Sequence, residues 1–471
     1  MTDRAITGIG VAVPRGRIDA DTIENAWGRF EATGIDTTAV PAGDEDALTL
    51  GVEAGERALS AASVDGGAVS SLAFATTTPP LAEEDLTVRL GSMLGVEEAA
   101  RRPTFTGSTR AGAAALLAGF DFAPEGPVLV VVADCPRGEP DSAIEHAAGA
   151  GAVAFVVGPA GGVRLVEHAA AEEPYPGTRF RQAVEHDVRA IDVRSYDRAA
   201  FVEPVTAAID GLEADPSGVD AAAIHAPDGD LPYRAAKAAN VEPDLVDRCA
   251  TVADLGDTGA ASAPLSIARA VADGHDRILA VGYGSGASAD ALVLAGSCPV
   301  GWPDIEPNEL DYPSYLRRRG DLSGSPPAGG GASVSVPSWK RSLPQRHRLV
   351  AGQCDSCGAL AFPPEGACPR CHELGDFAAV TLPRTGTVET VTTVGQGGAP
   401  PEFAPLQQRS GALGVTIVAF RVDDESVSVP LQVAADAEPV EPGQTVATVC
   451  RHLYTQEGVP RYARKVRPEL V

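Results

Sequence analysis

Four cysteines close together constrain the fold of this chain more than any other feature. Cys354 and Cys357 form one C-x-x-C pair, Cys368 and Cys371 form a second, and ten residues separate the pairs. Two such turns facing each other place four thiolates in a closed tetrahedral site that suits zinc. We predict a structural zinc ion, because a four-thiolate site leaves no coordination position open for catalysis. An iron ion in the same site, disulfides and free thiols are the alternatives.

The charge balance indicates which kinds of partner the surface can bind. The chain has 471 residues, with 64 acidic against 37 basic side chains and a net charge of −27. So broad an acidic excess is typical of adaptation to a high-salt cytoplasm, where screening reduces self-repulsion. It argues against general nucleic-acid binding, which requires a basic surface to meet phosphates.

The sequence also predicts a cytoplasmic protein without a membrane segment. The amino terminus lacks the charged and then apolar pattern of a signal peptide. No apolar run reaches the roughly 20 residues that span a bilayer. The cysteines outside the two pairs are scattered along the chain and suggest no disulfide framework.

Apolar runs of strand type alternate with amphipathic helical segments over the first 300 residues. This alternation predicts an α/β fold with a buried sheet covered by helices. A Gly- and Pro-rich stretch follows, and then short strands at regular spacing that suggest a small closed barrel. The predicted divisions are two α/β halves at 1–160 and 161–320, a linker at 321–345, a zinc ribbon at 346–376 and a barrel at 377–471.

The carboxyl-terminal third resembles the zinc-ribbon/OB-fold proteins that are associated with acyl-CoA enzymes. The resemblance covers about residues 345–471. It is carried by Leu349 to Pro364 with the two cysteine pairs, Gly386-Thr-Val, Glu441-Pro-Gly443 and Tyr462 to Pro468. It implies a rubredoxin-like zinc ribbon followed by a small OB-fold β-barrel.

The first 300 residues resemble the thiolase superfamily and are most like archaeal hydroxymethylglutaryl-CoA synthases. The motifs that carry this are Gly8 to Pro14, Glu145 to Phe155, His225 to Lys237, Leu255 to Gly259 and Gly282 to Gly286. The resemblance implies a five-layered αβαβα duplication, a homodimer, and an acyl-CoA as substrate or ligand. Archaeal members pair with a separate zinc-ribbon/OB protein that binds CoA, and here the two occur in one chain.

The resemblance also implies a Claisen-type condensation and the positions of its catalytic groups. A cysteine at a helix start carries the acyl group, a glutamate transfers protons and a histidine polarises the carbonyl. In this chain Thr109 falls at the cysteine position, Thr77 falls at the glutamate position and His225 matches the histidine. Asp257 replaces the usual asparagine of a Gly-Asn-Thr motif. A threonine hydroxyl is a far weaker nucleophile than a thiolate unless a base activates it.

Two interpretations of the function therefore stand. The chain is an altered acyltransferase of the hydroxymethylglutaryl-CoA synthase type, or it is a non-catalytic acyl-CoA-binding scaffold that serves a partner thiolase subunit. A weaker third interpretation is an aldolase-like member without an acyl-enzyme. Thr109 also has a structural interpretation, since threonine is a good helix N-cap.

Five further residues are candidates for contacts to CoA. Arg234 and Lys237 lie three apart on a predicted helix and suit a CoA phosphate, although a solvated helix face explains them equally well. Gly284, Ser285 and Gly286 would let the backbone approach a thioester, or they simply form a tight turn.

Overall fold

The computed structural model describes residues 4–122, 126–159, 161–175, 177–183, 185–191, 193–213, 218–322, 336–395, 399–456 and 458–469. The chain divides into two compact units. The first comprises Met1–Pro41 and Asp46–Tyr315, and the second comprises Ala42–Glu45 and Leu316–Val471. No helix among the described residues is both long and apolar enough to cross a membrane.

The first unit is a mixed α/β structure, as the alternating pattern predicts. Its strands are β1 (Ala5–Ala12), β2 (Gly16–Asp19), β3 (Thr37–Val40), β4 (Ser71–Ala75), β5 (Thr104–Phe105), β6 (Val128–Asp134), β7 (Gly151–Gly158), β8 (Val163–Glu172), β9 (Ala221–Ile224), β10 (Arg277–Gly284), β11 (Ser288–Ala295), β12 (Val300–Gly301) and β13 (Asn308–Glu309). The helices from Ala20 to Arg319 are α1 (Ala20–Trp27), α2 (Ala47–Ala61), α3 (Leu86–Leu94), α4 (Ala111–Asp121), α5 (Ala143–Ala147), α6 (Arg194–Asp210), α7 (Leu231–Ala238), α8 (Asp244–Asp247), α9 (Val252–Leu255), α10 (Ser262–Ala272) and α11 (Tyr312–Arg319).

The main sheet of this unit contains the same arrangement twice. Its order is β5-β4-β6-β7-β1-β8-β11-β10-β9, and β12 also pairs with β1. In the first half β4 is parallel to β6, β6 is antiparallel to β7, and β7 is antiparallel to β1. In the second half β9, β10, β11 and β8 repeat these three relations in the same order. The sheet topology therefore shows two related halves.

The central elements are buried because helices cover the sheet. Every residue of β6 and of β7 is buried, as expected for apolar strands in the middle of such a sheet. Helix α2 begins with a capping box, in which the side chains of Asp46 and Thr49 bond each other's backbone N–H. It packs on β1, β6 and β7, while α10 packs on β7, β9 and β10.

The second unit contains two small β structures. Its elements are α12 (Val336–Arg348), β14 (Val350–Cys354), β15 (Leu360–Ala361), β16 (Phe377–Thr381), β17 (Thr385–Val394), α13 (Ala404–Ser410), β18 (Leu413–Val422), β19 (Glu425–Val433), β20 (Thr445–Gln456) and β21 (Val459–Pro468). Strands β15-β14-β16 form a three-stranded sheet, and β17-β18-β19-β21-β20 close into a barrel. The closed barrel confirms the prediction of a small β-barrel.

One helix of this unit lies where the sequence suggested a linker. Helix α12 begins inside the stretch 321–345 that the composition indicates as flexible. The Gly- and Pro-rich part of that stretch falls largely at 323–335, which lies outside the described residues. The exact domain boundaries remain predictions.

Candidate functional site

A cavity of about 210 Å³ in the first unit brings together three of the predicted site residues. Thr109 lies just before α4, His225 directly follows β9, and Asp257 lies shortly after α9. The position of His225 is fixed by its backbone N–H, which donates to the carbonyl of Val281 at 2.9 Å. We call this space the Thr109 cavity. Three segments that are distant in sequence thus converge as the resemblance implies.

Close packing sets the start of α4 against the segment that follows Asp257. A Cβ atom built on Gly112 would lie only 2.1 Å from the carbonyl oxygen of Ala260. Only glycine permits this approach, because any side chain would collide with the backbone. The approach holds Thr109 and Asp257 on neighbouring walls of the Thr109 cavity.

The hydroxyl of Thr109 is bonded to the protein backbone. Its Oγ1 donates to the carbonyl oxygen of Tyr283 at 2.6 Å, and Thr109 is buried. Helix α4 begins at Ala111, with Arg110 at the cap position and no side-chain cap bond. The N-cap interpretation of Thr109 is therefore wrong. A carbonyl oxygen accepts this hydrogen bond but cannot remove the proton, so the contact does not activate the hydroxyl.

His225 is buried and uncharged at neutral pH. Burial is the largest influence on its pKa and lowers it; the charge of Asp257 raises the pKa, the charge of Arg179 lowers it, and the result is about 4. Its ring lies 6.1 Å from that of Tyr283 and 6.5 Å from that of Phe201, between centroids. A neutral imidazole can donate one hydrogen bond and accept another.

Asp257 forms an ion pair that the sequence did not reveal. Its Oδ2 contacts Nη1 of Arg179, and its Oδ1 accepts from the backbone N–H of Gly259 at 2.9 Å. Both Asp257 and Arg179 line the Thr109 cavity. Arg179 lies in no recognisable motif, and nothing in its local sequence, Thr-Arg-Phe-Arg, indicates this ion pair.

Thr77 belongs to a polar cluster beside the main sheet. The buried carboxylate of Asp134 accepts hydrogen bonds from the hydroxyls of Thr76 at 2.9 Å, Thr77 at 2.7 Å and Thr78 at 3.1 Å. It also accepts from the backbone N–H of Ala260 at 2.7 Å. Thr77 is not among the residues that line the Thr109 cavity. Its hydroxyl joins β4 to the end of β6 rather than facing that space.

The turn Gly284–Gly286 lies at the tip of the β10–β11 hairpin and holds another segment in place. The hydroxyl of Ser285 accepts from the backbone N–H of Arg179 at 3.0 Å and lies 2.9 Å from the hydroxyl of Thr178. Gly286 has a φ of +130°, a conformation that favours glycine. None of the three turn residues is among the described residues that line the Thr109 cavity. Ser285 instead anchors the residue that pairs with Asp257.

The two cations of the His225 motif lie on the exposed side of α7. Arg234 pairs with Asp230, one turn earlier, and Lys237 is exposed. Neither side chain lines the Thr109 cavity. A contact of either residue with a CoA phosphate remains a prediction.

The four cysteines of the second unit form a compact cluster, as their spacing predicts. Their sulfur atoms all lie within 4.8 Å of one another. The Sγ atoms of Cys354 and Cys371 are 3.7 Å apart, and those of Cys357 and Cys368 are 3.6 Å apart. Such a set of thiolate donors fits one tetrahedral metal ion. Hydrogen bonds from the backbone N–H groups of Cys371 and Arg370 lower the pKa of the Cys368 thiol to about 6 and favour its thiolate.

Family and sequence comparisons find similar proteins for both parts of the chain. Residues 341–375 match the family described as ChsH2, rubredoxin-like zinc ribbon domain. The hydroxymethylglutaryl-CoA synthase of Pyrococcus furiosus is 30% identical over 323 residues, which cover 66% of this chain and 92% of that protein. The hydroxymethylglutaryl-CoA synthase of Methanopyrus kandleri is 29% identical over 314 residues, which cover 61% of this chain and 86% of that protein.

Solved structures agree on the fold. An HMG-CoA synthase complexed with CoA matches with a TM-score of 0.61 at 17% identity, covering 71% of this chain and 94% of that one. The HMG synthase of the Curacin biosynthetic pathway, in complex with acetyl donor-ACP, matches with a TM-score of 0.55 at 16% identity, covering 62% of this chain and 80% of that one. Together with the zinc ribbon and the closed barrel, these matches confirm the predicted thiolase-like α/β fold class.

Proposed function

The chain belongs to the hydroxymethylglutaryl-CoA synthase family, and from this premise we propose that the Thr109 cavity binds the acyl group of an acyl-CoA. The cavity combines Thr109, His225 and Asp257, which fall at the motif positions of the family's catalytic groups. A CoA thioester is the ligand class that the family and the neighbour complexed with CoA suggest. As a neutral imidazole, His225 donates a hydrogen bond to the thioester carbonyl oxygen.

The observation that carries the chemical part of the proposal is the hydrogen bond from Thr109 to the carbonyl of Tyr283. No other hydrogen bond of the Thr109 hydroxyl joins it to a described residue, so no described base accepts its proton. A hydroxyl has a much higher pKa than a thiol and carries almost no alkoxide at neutral pH. The protein therefore binds an acyl-CoA without forming an acyl-enzyme at Thr109.

This geometry favours the scaffold over the altered acyltransferase. In the scaffold role, the protein holds an acyl-CoA for a partner thiolase and exchanges intermediates with it. The Glu83 and Glu84 side chains, which follow Thr77 in sequence and could replace the missing acid, are both exposed. Glu84 pairs with Arg89 at 2.9 Å. Neither glutamate lines the Thr109 cavity.

The first test is a search for an acyl-enzyme. After incubation with radiolabelled acetyl-CoA, we expect no label on the protein and no acetyl mass on Thr109 or Ser108. Thr109→Ala should change acetyl-CoA binding less than about threefold. His225→Ala should weaken it roughly fivefold, since one hydrogen bond is worth about 1 kcal/mol.

His275→Ala is the matched control, because His275 follows α10 and does not line the Thr109 cavity. It should bind acetyl-CoA as tightly as the unchanged protein does. Detection of an acetyl group on Thr109 or Ser108 would contradict the scaffold proposal and establish the altered acyltransferase.

We also propose that the protein is a homodimer. The thiolase resemblance implies that two protomers join along a sheet edge, and an uncovered edge would invite further pairing. Light scattering at micromolar concentration in high salt should give twice the 48.2 kDa chain mass. A monomer under these conditions would contradict the proposal.

Three further assignments complete the proposal. Zinc is the ion that the four cysteines hold, since closed four-thiolate sites suit it. The five-stranded barrel is an OB-fold, as the resemblance of residues 345–471 implies. The net charge of −27 fits a cytoplasm rich in salt.

A further inference from the structure

One guanidinium group in the wall of the Thr109 cavity has a partner at only one of its two terminal nitrogen atoms among the described residues. Nη1 of Arg179 contacts the carboxylate of Asp257. Nη2 of Arg179 is buried and has no hydrogen-bond partner among the described residues. A buried donor without an acceptor is unfavourable, so an oxygen atom of a bound molecule would stabilise it.

The other charged groups of the wall are carboxylates. Glu31, Asp228 and Asp257 line the Thr109 cavity with Arg179, and the charges of Asp257 and Arg179 balance each other. His225 adds no charge at neutral pH, since burial lowers its pKa to about 4. The net charge of the wall is therefore negative although it contains a guanidinium group.

Of the two carboxylates outside this ion pair, Asp228 forms no ion pair with a described residue. Asp228 accepts hydrogen bonds from the backbone N–H groups of Asp230 at 2.8 Å and Leu231 at 2.7 Å, which carry no full charge. Glu31 is exposed and forms an ion pair with Arg29 at 3.5 Å, so its charge is balanced. Burial raises the pKa of Asp228, so negative charge is already unfavourable there, and a second negative charge beside it would meet repulsion.

We propose that this arrangement makes the cavity selective for acyl groups whose oxygen atoms are uncharged. Nη2 of Arg179 donates to a carbonyl or hydroxyl oxygen of the acyl group. The carboxylate of Asp228 repels an acyl group that ends in a carboxylate, and Asp257 removes the attraction that the charge of Arg179 would otherwise exert on it. This inference rests on the proposed function, because it assumes that an acyl-CoA occupies the cavity.

Asp257 determines the preference, because it neutralises the one cation. With asparagine at this position, Arg179 would keep its full charge and would attract a carboxylate. Ser285 supports the arrangement as a positioning residue, since its hydroxyl holds the backbone N–H of Arg179.

The test compares two thioesters with four-carbon acyl groups, acetoacetyl-CoA and succinyl-CoA, by isothermal titration calorimetry in the same buffer. Both carry the same CoA phosphates, so the ratio of their dissociation constants reports the effect of the acyl group alone. We expect acetoacetyl-CoA to bind at least tenfold more tightly. Asp257→Asn should reduce this ratio about tenfold by favouring succinyl-CoA, whereas Arg179→Gln should weaken acetoacetyl-CoA roughly tenfold.

Asp273→Asn is the matched control, because it removes one carboxylate from the exposed end of α10, where Asp273 pairs with Arg269. It should leave the ratio unchanged. Circular dichroism should confirm that each variant is folded. Equal affinities for the two thioesters, or an unchanged ratio in Asp257→Asn, would overturn the inference alone. Failure of both thioesters to bind would overturn the proposed function together with the inference.

Discussion

Cys357→Ser is expected to abolish metal binding and to unfold the ribbon around β14, β15 and β16. Three thiolates cannot close the tetrahedral site, and a serine hydroxyl is a poor zinc ligand. Apart from the cysteines, the cluster packs little apolar surface, with Ala359 as its buried member and Phe377 beside it. In ribbons of this size, zinc binding contributes about 10–16 kcal/mol to folding. This exceeds what the few apolar side chains that join β14 and β15 to the barrel core, such as Ala351 and Leu360, can replace.

Elemental analysis should find one zinc ion per chain in the unchanged protein and none in Cys357→Ser. Amide hydrogen exchange should accelerate over residues 350–381 and stay slow in β6 and β7, which belong to the other unit. Cys298→Ser is the control, because Cys298 lies outside the cluster and burial raises the pKa of its thiol to about 12. Well-folded protein without metal, or a Cys357→Ser variant that keeps its metal, would contradict the prediction.

The sequence predicts those parts of the molecule whose causes are local. The alternation of apolar runs predicts the sheet and its covering helices, because burial of a strand or a helix face leaves a periodic pattern. The cysteine spacing predicts the metal cluster, because ligand geometry fixes the spacing. The motifs around Thr109, His225 and Asp257 indicate a shared site through the family resemblance, and the Thr109 cavity brings all three together.

Other features depend on contacts between distant segments, which no local pattern records. Arg179 reaches Asp257 because Ser285, more than one hundred residues later, holds its backbone. The threonine run at 76–78 gives no sign that its hydroxyls serve the carboxylate of Asp134. The N-cap interpretation of Thr109 fails for the same reason, since the carbonyl of Tyr283 is a partner that only the folded chain provides.

A buried ion pair in the second unit is the clearest example of such a contact. Nζ of Lys465 in β21 lies 2.8 Å from Oδ2 of Asp44, and both side chains are at most 1% exposed. The backbone N–H of Ala435 donates to the same oxygen at 3.1 Å. Burial raises the pKa of Asp44, but the charges of Lys465 and Arg451 outweigh it, so the pKa is lowered.

Lys465→Met is therefore expected to destabilise the second unit by about 3–5 kcal/mol, because it leaves the Asp44 carboxylate buried without its closest cation. Asp44→Asn combined with Lys465→Met should recover much of this loss, since it removes the charge as well. Lys340→Met is the matched control, because Lys340 lies exposed on α12. This substitution should lower the free energy of unfolding by less than about 1 kcal/mol. Native-state hydrogen exchange of β20 and β21 gives the free energy of unfolding for each variant.

The pH dependence of stability distinguishes an unpaired buried charge from a simple packing defect. In the unchanged protein the lowered pKa of Asp44 adds stability above the unfolded carboxyl pKa of about 4, and this is lost as the pH falls through the folded pKa. In Lys465→Met the charge of Arg451 still lowers the pKa of Asp44, but the effect of Lys465 is gone, so this pKa is higher than in the unchanged protein and protonation relieves the variant at a higher pH. The difference between the two proteins should thus be largest near pH 7 and shrink in acid. A difference that stays constant from pH 7 to pH 4, or no recovery in the double variant, would show that the charge of Asp44 is not the cause.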